Sequence, residues 1–157
     1  MNNEREFDVV IYGATGFTGK LVAEYFHAQY KDNKQVKWAI AGRNAEKLDD
    51  IKASLGISEN VSTIVADGGD ADALDALTKR TQVVLTTVGP YQLYGEPLLK
   101  ACVDNGTGYT DLCGEPAWMH QMIGKYQTKA KETGANIVFS CGFDSVPFDL
   151  GVFYLQQ

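Results

Sequence analysis

Apolar residues gather in six short runs along the chain, at Phe7 to Tyr12, Val36 to Ala41, Val61 to Ala66, Val83 to Val88, Tyr109 to Leu112 and Asn136 to Ser140. The runs are rich in Val and Ile and nearly continuous in apolarity, the pattern of parallel strands buried on both faces. Between them the apolar positions change to helical spacing. Leu21, Val22, Tyr25 and Phe26 mark a first helical face, Leu48, Ile51 and Leu55 a second, and Leu74 and Leu77 a third. Leu98, Leu99, Cys102 and Val103 mark a fourth, and Met119, Met122, Ile123 and Tyr126, at i, i+3, i+4 and i+7, a fifth. Strands alternating with helices predict an α/β fold, a doubly wound parallel sheet of about six strands with helices on both faces.

The first strand-to-helix junction adds chemistry to this pattern. Residues 13–19 read Gly-Ala-Thr-Gly-Phe-Thr-Gly, between the first apolar run and a helix expected to begin near Thr18. Bare backbone there lets phosphate oxygens reach main-chain N–H groups at a helix N-terminus. The spacing is GxxGxxG, a variant of the dinucleotide fingerprint, and its setting of strand, turn and helix predicts a Rossmann-type domain with a dinucleotide ligand. Gly13, Gly16 and Gly19 shape the turn, while Thr15, Phe17 and Thr18 sit inside it with N–H groups and hydroxyls for phosphate; covering the turn is the alternative role of Phe17.

In such a fold the end of the second strand meets the adenosine ribose, where an acidic residue takes the 2′-hydroxyl of NAD and an Arg accommodates the 2′-phosphate of NADP. Here the second strand runs into Gly42-Arg43-Asn44, with no carboxylate at the corner and Lys47 one helical turn later. A fork and a point charge suit a phosphate dianion, so NADP is expected over NAD. Asp67 closes the third strand, where it has two readings, an acceptor for the adenine amino group or an Asx turn before Gly68 and Gly69. Asp70 is read as the N-cap of a helix over Ala71 to Lys79.

Val88-Gly89-Pro90-Tyr91 follows the fourth strand, and ligands lie beyond the carboxyl ends of parallel strands, so this segment is expected beside the nicotinamide. Gly89 lets the ring approach, Pro90 stiffens the loop, and Tyr91 and Tyr94 either face a substrate or pack. Asp111, Cys113 and Glu115 end the fifth strand, and Cys141 and Asp144 the sixth, as cleft groups or as caps and turns. Tyr30 and Lys34 satisfy the YxxxK spacing but fall at the end of the first helix, away from any strand terminus, and are read as coincidence. His27 and His120 have no ligand pattern beside them, so no metal site is expected. No residue is assignable as the catalytic acid.

Composition narrows the partners. With 157 residues and 45% apolar content the chain can bury one core, and a single domain spanning 1–157 is expected. A net charge of −6 argues against nucleic acid and anionic membranes and for a small-molecule substrate. Cys102, Cys113 and Cys141 form no CxxC pair, the first residues lack a signal h-region, and no apolar run is long enough to span a bilayer. A cytoplasmic location is expected, and a homo-oligomer is compatible with the sequence. The stretch Phe148 to Gln157 starts a helix with Leu150, Phe153 and Tyr154 and reaches no cap, which leads to the expectation of a following substrate domain. A helix docking at the sheet edge is the alternative.

Five segments together carry a resemblance: GATGFTG at 13–19, AGRNAEKL at 41–48, TTVGPYQLYGEPLLKAC at 86–102, YTDLCGE at 109–115 and SCGFDSVPFDLG at 140–151. They resemble the amino-terminal domain of saccharopine dehydrogenase-like oxidoreductases, a group that includes trans-acting enoyl reductases. The resemblance spans nearly the whole chain and implies nicotinamide-dependent oxidoreduction. It implies pyrophosphate on Gly13, Thr15, Gly16, Phe17 and Thr18, the adenosine side on Arg43 and Asp67, and the nicotinamide side on Val88, Gly89, Pro90 and Tyr91. Members of the group usually continue into a second domain that supplies substrate contacts. The expected function is hydride transfer between NADP(H) and a C=C, C=O or C=N bond, and the alternative is a non-catalytic NADP-sensing regulatory module. Tyr91, Asp111 and Asp144 converging on one open pocket would favour the enzyme.

Overall fold

A computed structural model describes residues 5–31 and 35–157. Within them β1 (Phe7–Tyr12), α1 (Phe17–Tyr30), β2 (Trp38–Gly42), α2 (Ala45–Leu55), β3 (Ser62–Val65) and α3 (Ala71–Lys79) form the first half of the domain. The second half is β4 (Thr81–Thr86), α4 (Tyr91–Asp104), β5 (Gly108–Thr110), α5 (Pro116–Thr133), β6 (Ile137–Val138) and α6 (Val146–Leu155). The six strands are parallel in the order β3-β2-β1-β4-β5-β6. The order reverses direction between β1 and β4, and this switch point opens the crevice where ligands of open α/β sheets bind.

Alternate residues of the central strands feed two cores, one on each face. Ile11, Trp38 and Ile40 pack with Leu48 of α2 and with Val22 and Phe26 of α1. Val10, Tyr12, Ala39 and Ala41 pack on the other face with Leu74 and Leu77 of α3, Leu98 and Leu99 of α4, and Met122 of α5. Val10, Ile11, Ile40 and Val84 are inaccessible to water, as expected of strands covered on both sides.

Several boundaries differ from the sequence expectation, each for a local reason. Val88 leaves β4, and its side chain packs beside the turn after β1 instead of extending the ladder. Asp111 leaves β5 because its carboxylate bonds groups outside the sheet. The buried stripe of α1 is Gly19 and Ala23, while Leu21 and Tyr25, expected inside, are exposed. Small residues face inward there because the helix lies close over the glycine turn. Ile123 is exposed too, and the inward anchor of α5 is Trp118, which the helical count did not include. Helix α4 begins at Tyr91, one turn or more before its expected apolar face, and carries Pro97 inside it. Tyr30 ends α1, and Lys34 lies outside the described residues.

Helix α6 buries none of its ten residues. Phe148, Leu150, Val152, Phe153 and Tyr154 are all exposed, and the edge-to-face contact of Phe148 with the equally exposed Phe143 buries too little to offset the ordering cost. Helices shorter than about 12–15 residues are marginal in water without such contacts. The amides of α6 are therefore expected to exchange with deuterium roughly 100-fold or more faster than those of the shorter but anchored α3. Hydrogen-exchange mass spectrometry reads this directly, and equal protection would show that α6 has a packing partner.

Candidate dinucleotide-binding site

The turn after β1 is built from backbone. Gly13 has φ of 91°, and a Cβ there would lie 2.6 Å from Val88 Cγ2, so both conformation and space require glycine. Gly13 N–H and Ala14 N–H donate to the Ala41 carbonyl at 2.9 and 3.2 Å, tying the turn to the end of β2. Gly16 N–H returns to the Gly13 carbonyl at 3.0 Å and closes the loop. Thr87, just past β4, donates its N–H to Tyr12 O at 3.0 Å and its hydroxyl to Gly13 O at 3.3 Å. The β1 turn and the β4 exit are thus held together at the switch point.

Gly16 is the N-cap of α1 and no side chain caps the helix, whose first turn also carries no acidic residue. The N–H groups of Phe17, Thr18 and Gly19 therefore form the free positive end of a helix dipole. Gly16, Phe17 and Thr18 are exposed, Phe17 at 86%, and Thr15 is half-buried beside Gly42. A helix N-terminus with bare donors and a glycine approach fits a pyrophosphate. The phenyl ring of Phe17 does not fold over the turn.

Arg43 follows β2, exposed, with no hydrogen bond or ion pair among the described residues. Lys47 is likewise exposed, and its N–H donates to Asn44 Oδ1, which caps α2. Tyr12 links this corner to β3, since its buried hydroxyl donates to Ala66 O at 3.3 Å. Burial pushes that phenol up to about 12, the negative charge of Asp67 adds to the rise, and the positive charge of Arg43 opposes it. Arg43 follows β2 and Asp67 follows the end of β3, and these paired parallel strands bring both to the same corner of the sheet. Asp67 Oδ1 accepts from Gly69 N–H at 2.8 Å, the Asx turn that was one of its two readings, and Asp70 caps α3.

On the other side of the crevice Val88 is half-buried, while Gly89 and Pro90 are exposed and lead into α4. Tyr91 takes the packing one of its two readings, and its side chain does not face the crevice. It is 4% exposed, its hydroxyl donates to Thr86 O at 3.3 Å and accepts from Leu112 N–H at 3.4 Å, and its ring lies 5.6 Å from Trp118. Burial drives its phenol far above the ordinary range. A Cβ at Gly89 would stand 3.5 Å from that ring, so Tyr91 supports the segment from beneath.

The polar groups after β5 and β6 do not line an open cleft. Asp111 is 3% exposed and spends both carboxylate oxygens on Tyr109, Cys113 and Ser140. Burial, the largest influence, raises its carboxyl above the usual range against the pull of these three donors. Cys113 is buried, and Glu115 accepts from Tyr91 N–H and Gln92 N–H at 2.7 and 2.9 Å, capping α4. Those two donors, Gln92 first, hold the Glu115 carboxyl below its usual range. Asp144 and Cys141 are exposed. Tyr91, Asp111 and Asp144 thus do not converge on one pocket. A hollow of about 400 Å³ lies between α5 and β6 and includes Met122, Tyr126 and Phe139 but no residue of the glycine turn. Trp118, Ser140 and Thr87 escaped the sequence reading, because the contacts that give them meaning join segments far apart in the chain.

A parallel sheet of this order, with a bare glycine turn at its switch point and a cation after β2, defines a dinucleotide-binding Rossmann domain. Residues 9–138 match the profile of the saccharopine dehydrogenase NADP binding domain. The chain belongs to that family. It is 47% identical over 156 residues to a trans-acting enoyl reductase of Mycobacterium leprae, covering 99% of this chain and 37% of the relative. A saccharopine dehydrogenase-like oxidoreductase of Mus musculus is 44% identical over 164 residues, covering 98% and 38%. A Caenorhabditis elegans relative named lipid droplet localized protein is 42% identical over 156 residues, covering 96% and 36%. The chain thus spans a little over a third of the length of these relatives. In fold it resembles apo saccharopine dehydrogenase (L-Glu forming) of Saccharomyces cerevisiae, with a TM-score of 0.68 at 17% identity over 88% of this chain and 28% of that one. Nothing in these likenesses favours a non-catalytic sensor.

Proposed function

We propose that the chain holds NADP(H) along the carboxyl edge of its sheet and serves as the cofactor half of a hydride-transferring oxidoreductase. In this reading the pyrophosphate rests on the turn of Gly13, Thr15, Gly16, Phe17, Thr18 and Gly19, where the uncapped N–H groups of α1 point outward. Arg43 takes the 2′-phosphate, with Lys47 adding charge nearby. Asp67 faces the adenine with the carboxylate oxygen its Asx turn leaves over. Val88, Gly89 and Pro90 flank the nicotinamide, and Tyr91 holds them in place.

When bound, the cofactor supplies hydride to, or removes it from, a C=C, C=O or C=N bond. The chain's own part is to bind and orient the dinucleotide, while substrate contacts and the proton donor belong to a substrate domain carried elsewhere in a longer polypeptide. The relatives' greater length supports this division. The free thiols Cys102, Cys113 and Cys141 fit a reducing, cytoplasmic setting, which includes the cytoplasmic face of a lipid droplet. No helix among the described residues is long and apolar enough to cross a membrane.

The observation that carries the reading is the uncapped N-terminus of α1, set by glycines at the switch point beside an unpaired Arg43. Titration of the chain with NADPH and NADH, read by tryptophan fluorescence or calorimetry, is the test. A charge-assisted contact to the 2′-phosphate is worth about 1.5–3 kcal/mol, so NADPH is expected to bind roughly 10- to 150-fold more tightly. Equal affinities would overturn the NADP assignment, and no binding of either would overturn the site.

A further inference from the structure

We infer that Asp111 is a positioning residue for the nicotinamide half of the site, acting through Glu115 on the first turn of α4. The inference rests on the NADP(H) reading above. Asp111 sits where β5 leaves the sheet, and its carboxylate joins two separate exits. Oδ1 accepts from Cys113 N–H at 3.0 Å and from Ser140 N–H at 2.8 Å, while Oδ2 accepts from the Tyr109 hydroxyl at 2.9 Å. Its main-chain carbonyl accepts from Cys141 N–H at 2.7 Å. Ser140 completes the link by donating its hydroxyl to Cys113 O at 2.7 Å, from a left-handed backbone conformation with φ of 59°. A non-glycine residue holds that conformation only where its surroundings fix it.

The segment Leu112 to Glu115 is therefore anchored at one end to Asp111 and Ser140. It meets α4 at both ends, since Leu112 N–H donates to the Tyr91 hydroxyl and Glu115 accepts from the N–H groups of Tyr91 and Gln92. Tyr91 directly follows Val88, Gly89 and Pro90. Each link is a hydrogen bond between groups fixed in position, so the location of the nicotinamide-flanking loop after β4 depends on a carboxylate at the end of the neighbouring strand β5. A displacement of about 1 Å in such a support is enough to degrade a bound geometry. None of these residues lies on the β2–β3 edge, where Arg43 and Asp67 stand.

That separation makes the role measurable. Adenosine 2′,5′-bisphosphate carries the adenosine, the 2′-phosphate and the adenosine-side phosphate of NADP without the nicotinamide half, and its affinity reports the β1–β3 side alone. Asp111→Ala is expected to weaken NADPH about tenfold while leaving adenosine 2′,5′-bisphosphate within about twofold, because the lost hydrogen bonds act on one half of the site. Asp111→Asn keeps an acceptor for Cys113 and Ser140 and is expected to restore most of the NADPH affinity. Glu115→Ala cuts the same relay at its half-exposed end, where the loss is that of a helix cap, and is expected to give the same split as Asp111→Ala. Parallel losses of both ligands, or an unchanged NADPH affinity in Glu115→Ala, would overturn the inference. Failure of the unaltered chain to bind either ligand would instead overturn the NADP(H) reading on which it stands.

Discussion

Gly16→Val is expected to abolish measurable NADPH binding in a chain that still folds, whereas Gly19→Ala is expected to unsettle the fold itself. Gly16 has φ of −80° and ψ of 168°, an extended conformation open to any residue. A Cβ on it would meet nothing nearer than the Gly13 carbonyl at 3.4 Å, and the position is exposed. Valine there costs the N-cap about 1 kcal/mol or less. Its branches would stand between the incoming phosphates and the N–H groups of α1. Losing two charge-assisted hydrogen bonds at about 1.5–3 kcal/mol each lowers affinity by more than about 100-fold. Gly19 is different, because its Cβ would fall 2.1 Å from the Gly13 carbonyl oxygen, 2.7 Å from its carbon and 2.9 Å from Ala14 Cα. Main chain cannot rotate away as a side chain would. Helix α1 would have to lift off the turn, at a cost of roughly 1–3 kcal/mol or more. For a domain of this size that is a fall of about 2–12 °C in Tm. Thermal melting beside NADPH titration separates the two variants. Full NADPH affinity in folded Gly16→Val would show that no phosphate approaches the turn.

The two glycines also show why so much of the fold was legible. GxxGxxG between an apolar run and a helix has few physical solutions, and continuous apolar strands alternating with helical periods lead to one sheet architecture. Asp70 could be read as the cap of α3 because capping is decided within three residues. Helix faces were less secure. The count along α1 selected the large residues Leu21 and Tyr25, whereas the inward positions went to Gly19 and Ala23, because close approach to the turn outweighs apolar area at that point.

The two halves of the site differed in the same way. The role proposed for Arg43 rests on a local fact, a cation where a carboxylate would otherwise follow β2. The roles of Tyr91, Asp111 and Glu115 depend on partners 21 to 29 residues distant, Leu112, Ser140, Tyr91 and Gln92, whose placement requires the folded sheet. Sequence position marked all three as polar groups at strand ends. It could not tell a group aimed at a ligand from one aimed at a neighbouring loop. Segment 86–102 and segment 109–115, which carry part of the family resemblance, are the two pieces that Glu115 and Tyr91 join.

Arg43→Ala is expected to reduce NADPH affinity by roughly 10- to 150-fold and to leave NADH affinity unchanged, since one charge-assisted pair of about 1.5–3 kcal/mol disappears. The variant should fold normally, because Arg43 is exposed and bonds no other described residue. Its guanidinium is also free of competing internal partners, so its attraction need not first be withdrawn from an ion pair. Salt should narrow the difference between the unaltered chain and the variant, as both charges stand at the surface. Acid should narrow it as well. A phosphate monoester dianion takes up a proton near pH 6 and becomes a monoanion, so the NADPH preference is expected to be full above about pH 7 and to shrink as pH falls through about 6. Arg43→Lys keeps the charge but loses the planar fork and should fall between the two. If Arg43→Ala instead weakened NADPH and NADH alike, the residue would be acting on the shared part of the dinucleotide, and the 2′-phosphate would have to be held by another group.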